Sequence, residues 1–238
     1  MKKIGLVGGI AWPSTVDYYA GLSRLAEAAH ILPEMSIESL DHERAVAYLG
    51  RDGDEASWAR FEVYHHEALL RLERNGAEVA AIASNTSHIR FPEITAGIRI
   101  HVINIFDALA AECARLGESE VLILGTAATM TSTRLPAVFA SRGIRAAGPE
   151  DEALRALTVQ LSKELQHGVD QSAASRLADI VRRDAAGRAT ALVCLACTEL
   201  PLAFPGSGGL KLLELEGIRY LNSSTVHVHA IFDHATSG

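Results

Sequence analysis

The sequence predicts an α/β protein with two doubly wound parallel sheets related by a pseudo-twofold axis. Three observations support this fold class: short apolar runs typical of strands buried on both faces, helical segments between those runs, and an internal repeat. Hydrophobic residues make up 48% of the 238 residues, which is enough for a sizeable core and argues against disorder.

The strands and helices alternate along the chain, as a parallel sheet requires. Short apolar runs predict strands at Ile4–Val7, Met35–Ser39, Val79–Ala83, Val102–Ile105, Val121–Leu124 and Ala191–Leu195. Apolar residues at helical spacing predict helices at Ser14–Ala29, Glu55–Asn75, Asp107–Leu116, Glu150–His167 and Asp170–Ala185. Pro13 opens the first helix, and a glycine just beyond each of the others supplies the usual stop signal: Gly76, Gly117, Gly168 and Gly187.

Two pairs of segments form a weak internal repeat. Residues 4–15 (IGLVGGIAWPST) resemble residues 121–133 (VLILGTAATMTST), because each is a strand followed by glycine, small residues and hydroxyls. Residues 80–91 (AAIASNTSHIRF) resemble residues 191–202 (ALVCLACTELPL), because each is an apolar run that ends in a polar cluster. The spacing within the two halves is similar, which predicts two similar domains.

We place the N-terminal domain at residues 1–106 and the C-terminal domain at 107–217, and expect 218–238 to pack back onto the first. Sheets of this type bind ligands at the carboxyl ends of their strands. Ser84 and Cys197 each follow a predicted strand, so we expect them on opposite walls of a cleft between the domains.

Composition excludes several classes of function. The formal net charge is −7 and the longest basic run is Arg182-Arg183, so no nucleic-acid partner is expected. No apolar run approaches the ~18 residues of a membrane span, so no membrane partner is expected. The apolar N-terminus resembles a signal peptide but is short and has no clear cleavage site. Three cysteines cannot all pair, which favours a reduced, cytoplasmic setting.

Cys197 is the first candidate for chemistry. A cysteine after a strand and at the start of a helix is expected to have a lowered pKa, because the helix N-terminus stabilises the thiolate. A thiolate in a dry cleft acts as a base or a nucleophile. Thr198 adds a hydroxyl and a backbone N–H that suit a carboxylate. The alternative is that Cys197 is a small buried filler, as free cysteines commonly are.

Ser84 holds the matching position in the first half and is chemically different. A serine hydroxyl does not ionise near neutral pH without help, but it donates a hydrogen bond to a carboxylate or holds a water. The alternative is a helix cap, and the two roles are compatible. Asn85 and Thr86 add an amide and a hydroxyl, which suit an anion site.

Other polar residues give weaker signals. Cys194 and Cys197 form C-x-x-C, but no second pair exists to complete a zinc site, so we expect no metal and interpret Cys194 and Cys113 as core. Gly5, Gly8 and Gly9 lack the G-x-G-x-x-G spacing, so no nicotinamide cofactor is expected.

Histidines and an arginine complete the candidates. Arg44 or His42 follows a predicted strand and either binds a substrate carboxylate or lies in a solvated loop. His227 lies in the first turns of a helix capped by Asn222 or Ser223, and it either reaches the cleft or is structural. His65 and His66 lie in an amphipathic helix and are interpreted as surface or packing residues.

The chain resembles the aspartate/glutamate racemase family. The resemblance is carried from residue 4 to residue 227 by IGLVGGIAWPSTVDYY, ASNTSH, ILGTAATM, LACTELPL and NSSTVH. It implies two Rossmann-like domains, a homodimer, and cofactor-independent inversion at Cα by two cysteines, one per domain. Cys197 matches one of these cysteines, whereas Ser84 stands where most members have the other.

The resemblance also implies roles for the loops. It assigns substrate binding to Asn85, Thr86 and Thr198 in carboxylate-binding loops, to Thr126 in the LGT turn, and to Trp12 in the first loop, although Ala11 and Pro13 depart from the family pattern there. Arg44 and His42 are the candidates for the residue that binds the side-chain carboxylate of the substrate.

Serine at position 84 leaves three hypotheses about function open. The first is a racemase of aspartate or glutamate that uses Cys197 and is asymmetric because of Ser84. The second is a single-cysteine relative, such as a decarboxylase of a substituted malonate. The third is a binding protein without catalysis, whether Ser84 is natural or an engineered replacement of cysteine.

Overall fold

The computed structural model of the protein describes residues 1–49, 54–166, 172–184, 192–206 and 208–237. The chain forms two compact units, one of Met1–Asn104 with His227–Gly238 and one of Ile105–Val226. Among the described residues, no helix combines the length and the apolar character that crossing a membrane requires.

The first unit contains a sheet of four strands in the order β2-β1-β3-β4, all paired in parallel. The strands are β1 (Ile4–Gly8), β2 (Met35–Ser39), β3 (Val79–Ile82) and β4 (His101–Ile103). Each agrees with its predicted run to within two residues, because a short apolar run between helices is a direct signature of a buried parallel strand.

Helices cover both faces of this sheet. They are α1 (Trp12–Ala28), α2 (His42–Tyr48), α3 (Glu55–Arg74), a 3-10 helix (Thr86–Arg90), α4 (Phe91–Thr95) and most of α10 (Ser223–Thr236). Successive residues of β1 point to opposite faces: Leu6 packs with Tyr18 of α1 and Ile231 of α10, whereas Val7 packs with Leu69 of α3. The predicted doubly wound arrangement is confirmed in this unit.

The second unit contains a sheet in the order β6-β5-β7-β9-β8. Its strands are β5 (Glu120–Gly125), β6 (Arg145–Ala147), β7 (Leu192–Ala196), β8 (Leu212–Leu215) and β9 (Ile218–Asn222). β6, β5, β7 and β9 pair in parallel, and β8 pairs antiparallel to β9 at the edge.

Helices also cover both faces of the second sheet. They are α5 (Ile105–Arg115), α6 (Ala127–Thr131), α7 (Arg134–Ala140), α8 (Glu152–Leu165), α9 (Ala173–Asp184) and a 3-10 helix (Leu200–Ala203). Val193 and Leu195 of β7 pack with α8 and α9, whereas Cys194 contacts Cys113 of α5 on the opposite face. The α/β fold class with two mainly parallel sheets is therefore confirmed in both units.

The two sheets share a topology that matches the sequence repeat. β1 and β3 are neighbours in the first sheet, and β5 and β7, which carry the repeated segments, are neighbours in the second. The order β2-β1-β3-β4 corresponds strand by strand to β6-β5-β7-β9. Ser84 follows β3 and Cys197 follows β7, so each lies at the carboxyl edge of an equivalent strand.

Three strands were missing from the sequence prediction, namely β6, β8 and β9. The units divide at 104/105 and 226/227. The sequence placed 218–238 with the first unit, and His227–Gly238 belongs there, whereas residues 218–226 belong to the second unit because β9 pairs with β7. Predicted features at His167, Gly168, Asp170, Ala185, Gly187 and Ala191 lie outside the described residues.

Gly9 marks a close approach between the loops that follow β1 and β2. It has φ +85°, and a Cβ at this position would collide with the backbone of Leu40, whose N–H donates to the Gly8 carbonyl at 2.9 Å. Gly97 also has positive φ, at +78°, but a Cβ there would meet nothing within 4 Å. Substitution at these two glycines therefore distinguishes the cost of a left-handed backbone conformation from the cost of a steric clash.

We expect Gly9→Ala to destabilise the protein by about 3 kcal/mol or more, because the Cβ adds a backbone clash to the left-handed strain. Gly97→Ala should cost only about 1–2 kcal/mol, from the backbone conformation alone. Urea unfolding of both variants at one pH measures the difference. Equal losses of unfolding free energy in the two variants would show that the loops after β1 and β2 move apart readily to make room for the Cβ.

Candidate active site

Cys197 is the first residue after β7 and lies almost entirely inside the second unit. Its side chain packs in the hydrophobic cluster beneath α8 and α9 and is 5% exposed. The Sγ–H donates a hydrogen bond to Oε2 of Glu199 at 2.8 Å. The thiol is therefore paired with a carboxylate two residues further along the chain.

The carboxylate of Glu199 is itself buried and held by several donors. Thr198 Oγ1 donates to Oε2 at 3.1 Å, and Nε2 of Gln166 donates to Oε1 at 3.3 Å. Glu199 is 5% exposed. Because each oxygen accepts at least one hydrogen bond, the orientation of the carboxylate next to the thiol is fixed.

This environment raises the pKa of the Cys197 thiol well above its ordinary value. Burial is the largest cause, followed by the negative charge of Glu199 and the hydrogen bond to it. The Glu199 N–H and the Ser162 hydroxyl act in the opposite direction and are weaker. The thiol is therefore protonated at neutral pH.

The sequence prediction of a lowered pKa for Cys197 is wrong. It relied on a helix N-terminus beside the sulfur, but the helix that follows is the 3-10 helix Leu200–Ala203, only four residues long. Such a short helix has a weak dipole, and desolvation and an adjacent carboxylate outweigh it.

Thr126 lies at the same sheet edge as Cys197. It follows β5, whose last residue Gly125 pairs with Ala196 of β7. The Thr126 hydroxyl accepts the Thr129 N–H at 3.2 Å and caps α6. A Cβ at Gly125 would lie 2.5 Å from the Ala196 carbonyl oxygen, so glycine permits the two strand ends to approach.

Ser84 occupies the equivalent edge of the first unit, after β3. Its hydroxyl accepts the Ser87 N–H at 3.3 Å, and its carbonyl accepts Nδ1–H of His88 at 2.7 Å. Ser84 and Asn85 are buried at 8% and 3% exposure, and Thr86, half-buried, begins the 3-10 helix. The capping role that the sequence offered as an alternative is therefore present.

His227 is engaged on both ring nitrogens inside the first unit. Tyr18 OH donates to Nδ1 at 2.9 Å, and Nε2–H donates to the Ile103 carbonyl at 3.0 Å. The ring of His227 meets the ring of His88 edge to face at 5.5 Å. These bonds favour the structural alternative for His227 over contact with a substrate.

His65, which the sequence placed as a surface or packing residue, is fully buried. Its Nδ1–H donates to the Phe61 carbonyl at 2.8 Å, so Nε2 accepts the Ser87 hydroxyl at 3.1 Å. This bond supports the loop that carries Ser84. Helical periodicity identified the helix but not its partner, because Ser87 is 22 residues away in the chain.

Burial lowers the pKa of these three histidines. The values fall to about 4 for His65 and His88 and to about 3 for His227, with desolvation as the largest cause. Their neutral forms are the ones that fit these hydrogen bonds. Each ring is therefore neutral in the folded protein at physiological pH.

Trp12, His42 and Arg44 lie at the surface of the first unit. Trp12 begins α1 with 71% of its side chain exposed. His42 begins α2, and its Nδ1–H donates to the Ile10 carbonyl in the loop after β1. The Arg44 guanidinium lies over the ring of Tyr64 at 5.6 Å. His42 thus joins two loops at the sheet edge.

A comparison with known protein families assigns the chain. The model of the Asp/Glu/hydantoin racemase family matches residues 7–231. The chain belongs to this family. Its members include aspartate and glutamate racemases, which are isomerases.

Solved structures agree with this fold. An aspartate racemase homologue from Pyrococcus horikoshii is 27% identical, with all of both chains covered and a TM-score of 0.80. The aspartate racemase of Picrophilus torridus is 19% identical over 98% of this chain and 94% of its own, with a TM-score of 0.75. The glutamate racemase of Campylobacter jejuni is 20% identical over 98% and 85%, with a TM-score of 0.66.

The other two cysteines of this family member are core residues, as predicted. Sγ of Cys113 and Sγ of Cys194 are 3.8 Å apart, and both side chains are fully buried. The hydrogen bond to Cys113 and burial raise the pKa of Cys194 well above its ordinary value. Cys194 and Cys197 point to opposite faces of the sheet, so the C-x-x-C motif does not act as a pair.

The buried histidines make the stability of the racemase fold sensitive to acid. Above pH 6.5 each is neutral in both the folded and the unfolded chain. Between pH 6.5 and 4 only the unfolded chain takes up protons, so the free energy of unfolding falls by about 1.4 kcal/mol per pH unit for each histidine. Urea unfolding between pH 7.5 and 4.5 measures this slope.

We expect His227→Gln to reduce the slope of unfolding free energy against pH by the contribution of one histidine, about 1.4 kcal/mol per pH unit. His30 is exposed at the end of α1, where φ is +57° and asparagine is tolerated, so His30→Asn is the control and should retain the slope. An unchanged slope in His227→Gln would mean that His227 accepts a proton in the folded state.

Proposed function

We propose that the protein is a cofactor-independent racemase of an acidic amino acid, aspartate or glutamate, and that Cys197 transfers the α-proton. The observation that carries this proposal is the buried thiol at the carboxyl end of β7, paired with Glu199 at 2.8 Å. Membership of the racemase family and the likeness to an aspartate racemase homologue support the reaction and the substrate class.

The backbone and hydroxyl groups at the strand ends suit a carboxylate. Asn85 and Thr86 follow β3, and Thr126 and Thr198 follow β5 and β7. We assign them to the binding of the substrate α-carboxylate, whose negative charge grows as the Cα–H bond breaks and an enolate develops. His42, Arg44 and Trp12 are assigned to the rest of the substrate, with the side-chain carboxylate bound by His42 or Arg44.

Ser84 makes the proposed reaction asymmetric. Its hydroxyl donates or relays a proton but is a weak base, whereas Cys197 gains and loses a proton at much lower cost. Abstraction by Cys197 is therefore the efficient step, and the enantiomer whose α-proton faces Cys197 is the preferred substrate. Water or a relay supplies the proton on the Ser84 side.

The protonated state of Cys197 also favours a second candidate function. A thiol that already carries its proton suits protonation of an enediolate formed by loss of CO₂. A substituted malonate would be the substrate of such a decarboxylase. Release of CO₂ from a panel of substituted malonates, without proton exchange at Cα of amino acids, would favour this reaction over racemisation.

The proposal includes a homodimer in the cytoplasm, as the family resemblance implies. Sedimentation equilibrium of the purified protein measures the mass in solution, which should be twice that of the 25.5 kDa chain.

We expect the wild-type protein to exchange the α-proton of aspartate or glutamate in D₂O, as measured by NMR on each enantiomer separately. Cys197→Ala should lower the exchange rate by about 10³-fold or more, because it removes the acid/base group. Cys194→Ala removes a thiol three residues away on the other face of the sheet and should retain exchange. Absence of exchange from both amino acids at high protein concentration would refute the proposal for these substrates.

Ser84→Cys should accelerate exchange of the disfavoured enantiomer by about 10²-fold or more, because it places an ionisable thiol where the wild type has a hydroxyl. Exchange of the preferred enantiomer should change much less. Rates for both enantiomers, measured side by side, test the asymmetry. Activity that appears only in the variant would show that the wild-type chain is a binding protein or a disabled racemase.

A further inference from the structure

Ser84 is held inside the first unit through both its backbone and its side chain. Its hydroxyl oxygen accepts the Ser87 N–H at 3.3 Å, and its carbonyl oxygen accepts Nδ1–H of His88 at 2.7 Å. A serine hydroxyl has one hydrogen to donate and two lone pairs that accept. Because Ser87 occupies one lone pair, the hydrogen and the other lone pair remain. Among the described residues none accepts that hydrogen, so it is available to a bound substrate.

The position of Ser87 is fixed in turn by a buried histidine on α3. Nδ1 of His65 lies 2.8 Å from the Phe61 carbonyl, which only accepts, so the hydrogen of the neutral ring is on Nδ1. Nε2 is therefore an acceptor, and the Ser87 hydroxyl donates to it at 3.1 Å. His65 and Ser87 are both fully buried, so either group without the other would be an unsatisfied polar atom.

The ring of His65 keeps this acceptor in one place and in one protonation state. It packs against the ring of Phe61, with 4.1 Å between centroids, and meets the ring of Tyr64 edge to face at 6.3 Å. Burial lowers the pKa of His65 to about 4, so the ring is neutral at physiological pH. A fixed acceptor on a 20-residue helix therefore determines where a residue of the loop after β3 lies.

We propose that His65 is a positioning residue for Ser84 and acts through Ser87. By accepting the Ser87 hydroxyl, His65 holds the Ser87 N–H against the Ser84 oxygen and directs the Ser84 hydroxyl hydrogen toward the substrate. Ser84 then supplies the proton that reaches Cα on its side. This inference rests on the proposed function, and His65 itself does not touch the substrate.

The proton transfer balances over one turnover. The O–H bond of Ser84 breaks as a C–H bond forms at Cα of the enolate, and the remaining lone pair of the Ser84 oxygen takes a proton from water. Cys197, which took the α-proton from the other side of Cα, releases that proton to solvent. One proton leaves and one enters, so both side chains return to their initial states.

His65→Phe should separate inversion of the substrate from exchange of its α-proton. Phenylalanine keeps an aromatic ring but offers no acceptor, so the Ser87 hydroxyl loses its partner and the Ser84 hydroxyl is no longer directed. We expect inversion of the preferred enantiomer to slow about 10-fold or more, because small misplacements of a reacting group are costly. Exchange with retention needs only Cys197 and should change less than about 2-fold. Chiral chromatography and NMR in D₂O measure the two rates.

Ser87→Ala removes the other end of the same hydrogen bond and should slow inversion by a similar factor. His65→Gln retains an acceptor in the side chain and should recover part of the inversion. In a Ser84→Ala background, His65→Phe should have no further effect, because His65 acts through the Ser84 hydroxyl. A role in stability alone would slow inversion and exchange together, and its effect would add to that of Ser84→Ala.

His66→Phe is the matched control. His66 is the next residue of α3, and its Nδ1–H donates to the Ile94 carbonyl of α4 at 2.8 Å. The same substitution therefore removes a similar hydrogen bond that does not involve Ser87 or Ser84. Inversion and exchange should both remain at the wild-type rate in this variant.

Hydrogen exchange of the Ser87 amide tests the positioning without any need for activity. This N–H donates to the Ser84 oxygen, so we expect it to exchange with solvent about 10-fold faster in His65→Phe than in the wild type. His66→Phe should leave its rate unchanged, and Ser84→Ala, which removes the acceptor, should increase it. NMR on the folded protein measures these rates.

Undiminished inversion in His65→Phe and Ser87→Ala, or equal losses of inversion and exchange in both, would overturn the role of His65. If His65→Phe does not fold, Ser87→Ala alone and in the Ser84→Ala background decides. A wild-type protein that catalyses neither inversion nor exchange would instead refute the proposed function. The Ser87 amide would still decide whether His65 holds Ser87 against Ser84, so the two failures are distinguishable.

Discussion

In each sheet, a glycine at or just after the end of the first repeated strand allows the carboxyl end of a neighbouring strand to approach closely. Gly125 lies against the Ala196 carbonyl between β5 and β7, and Gly9 lies against the Leu40 backbone between β1 and β2. Both faces of each sheet are covered by helices, so polar groups emerge chiefly where strands end. Cys197, Thr126 and Ser84 all occupy such ends, and their positions follow from this constraint.

The two halves reuse one topology for different chemistry. In the second unit, the strand end carries a thiol that is desolvated and paired with a carboxylate. In the first unit, the equivalent position carries a hydroxyl that caps a 3-10 helix, above neutral histidines that hold the loop through its carbonyl and through Ser87. The first arrangement places a thiol beside a carboxylate, and the second fixes a backbone. The two equivalent strand ends therefore differ in their chemistry.

Sequence periodicity predicted most strands and helices because buried parallel strands and amphipathic helices have strong local patterns. It missed β9, because its apolar residues lead directly into a helix and its pairing with β7 is not visible in the local pattern. It placed Cys197 and Ser84 at strand ends correctly, yet misjudged the pKa of Cys197. That pKa depends on burial and on the direction of the Glu199 side chain, and neither is encoded in spacing. Glu199 was visible two residues from the cysteine, a separation that places it within reach of the sulfur.

A carboxylate beside a buried thiol is costly unless hydrogen bonds replace lost water. Glu199 accepts donors from Cys197, Thr198 and Gln166, and among the described residues no lysine or arginine pairs with it. These neutral donors replace the hydrogen bonds to water that the carboxylate loses on burial. The hydrogen bonds from Thr198 and Gln166 therefore account for a carboxylate that lies buried beside the thiol.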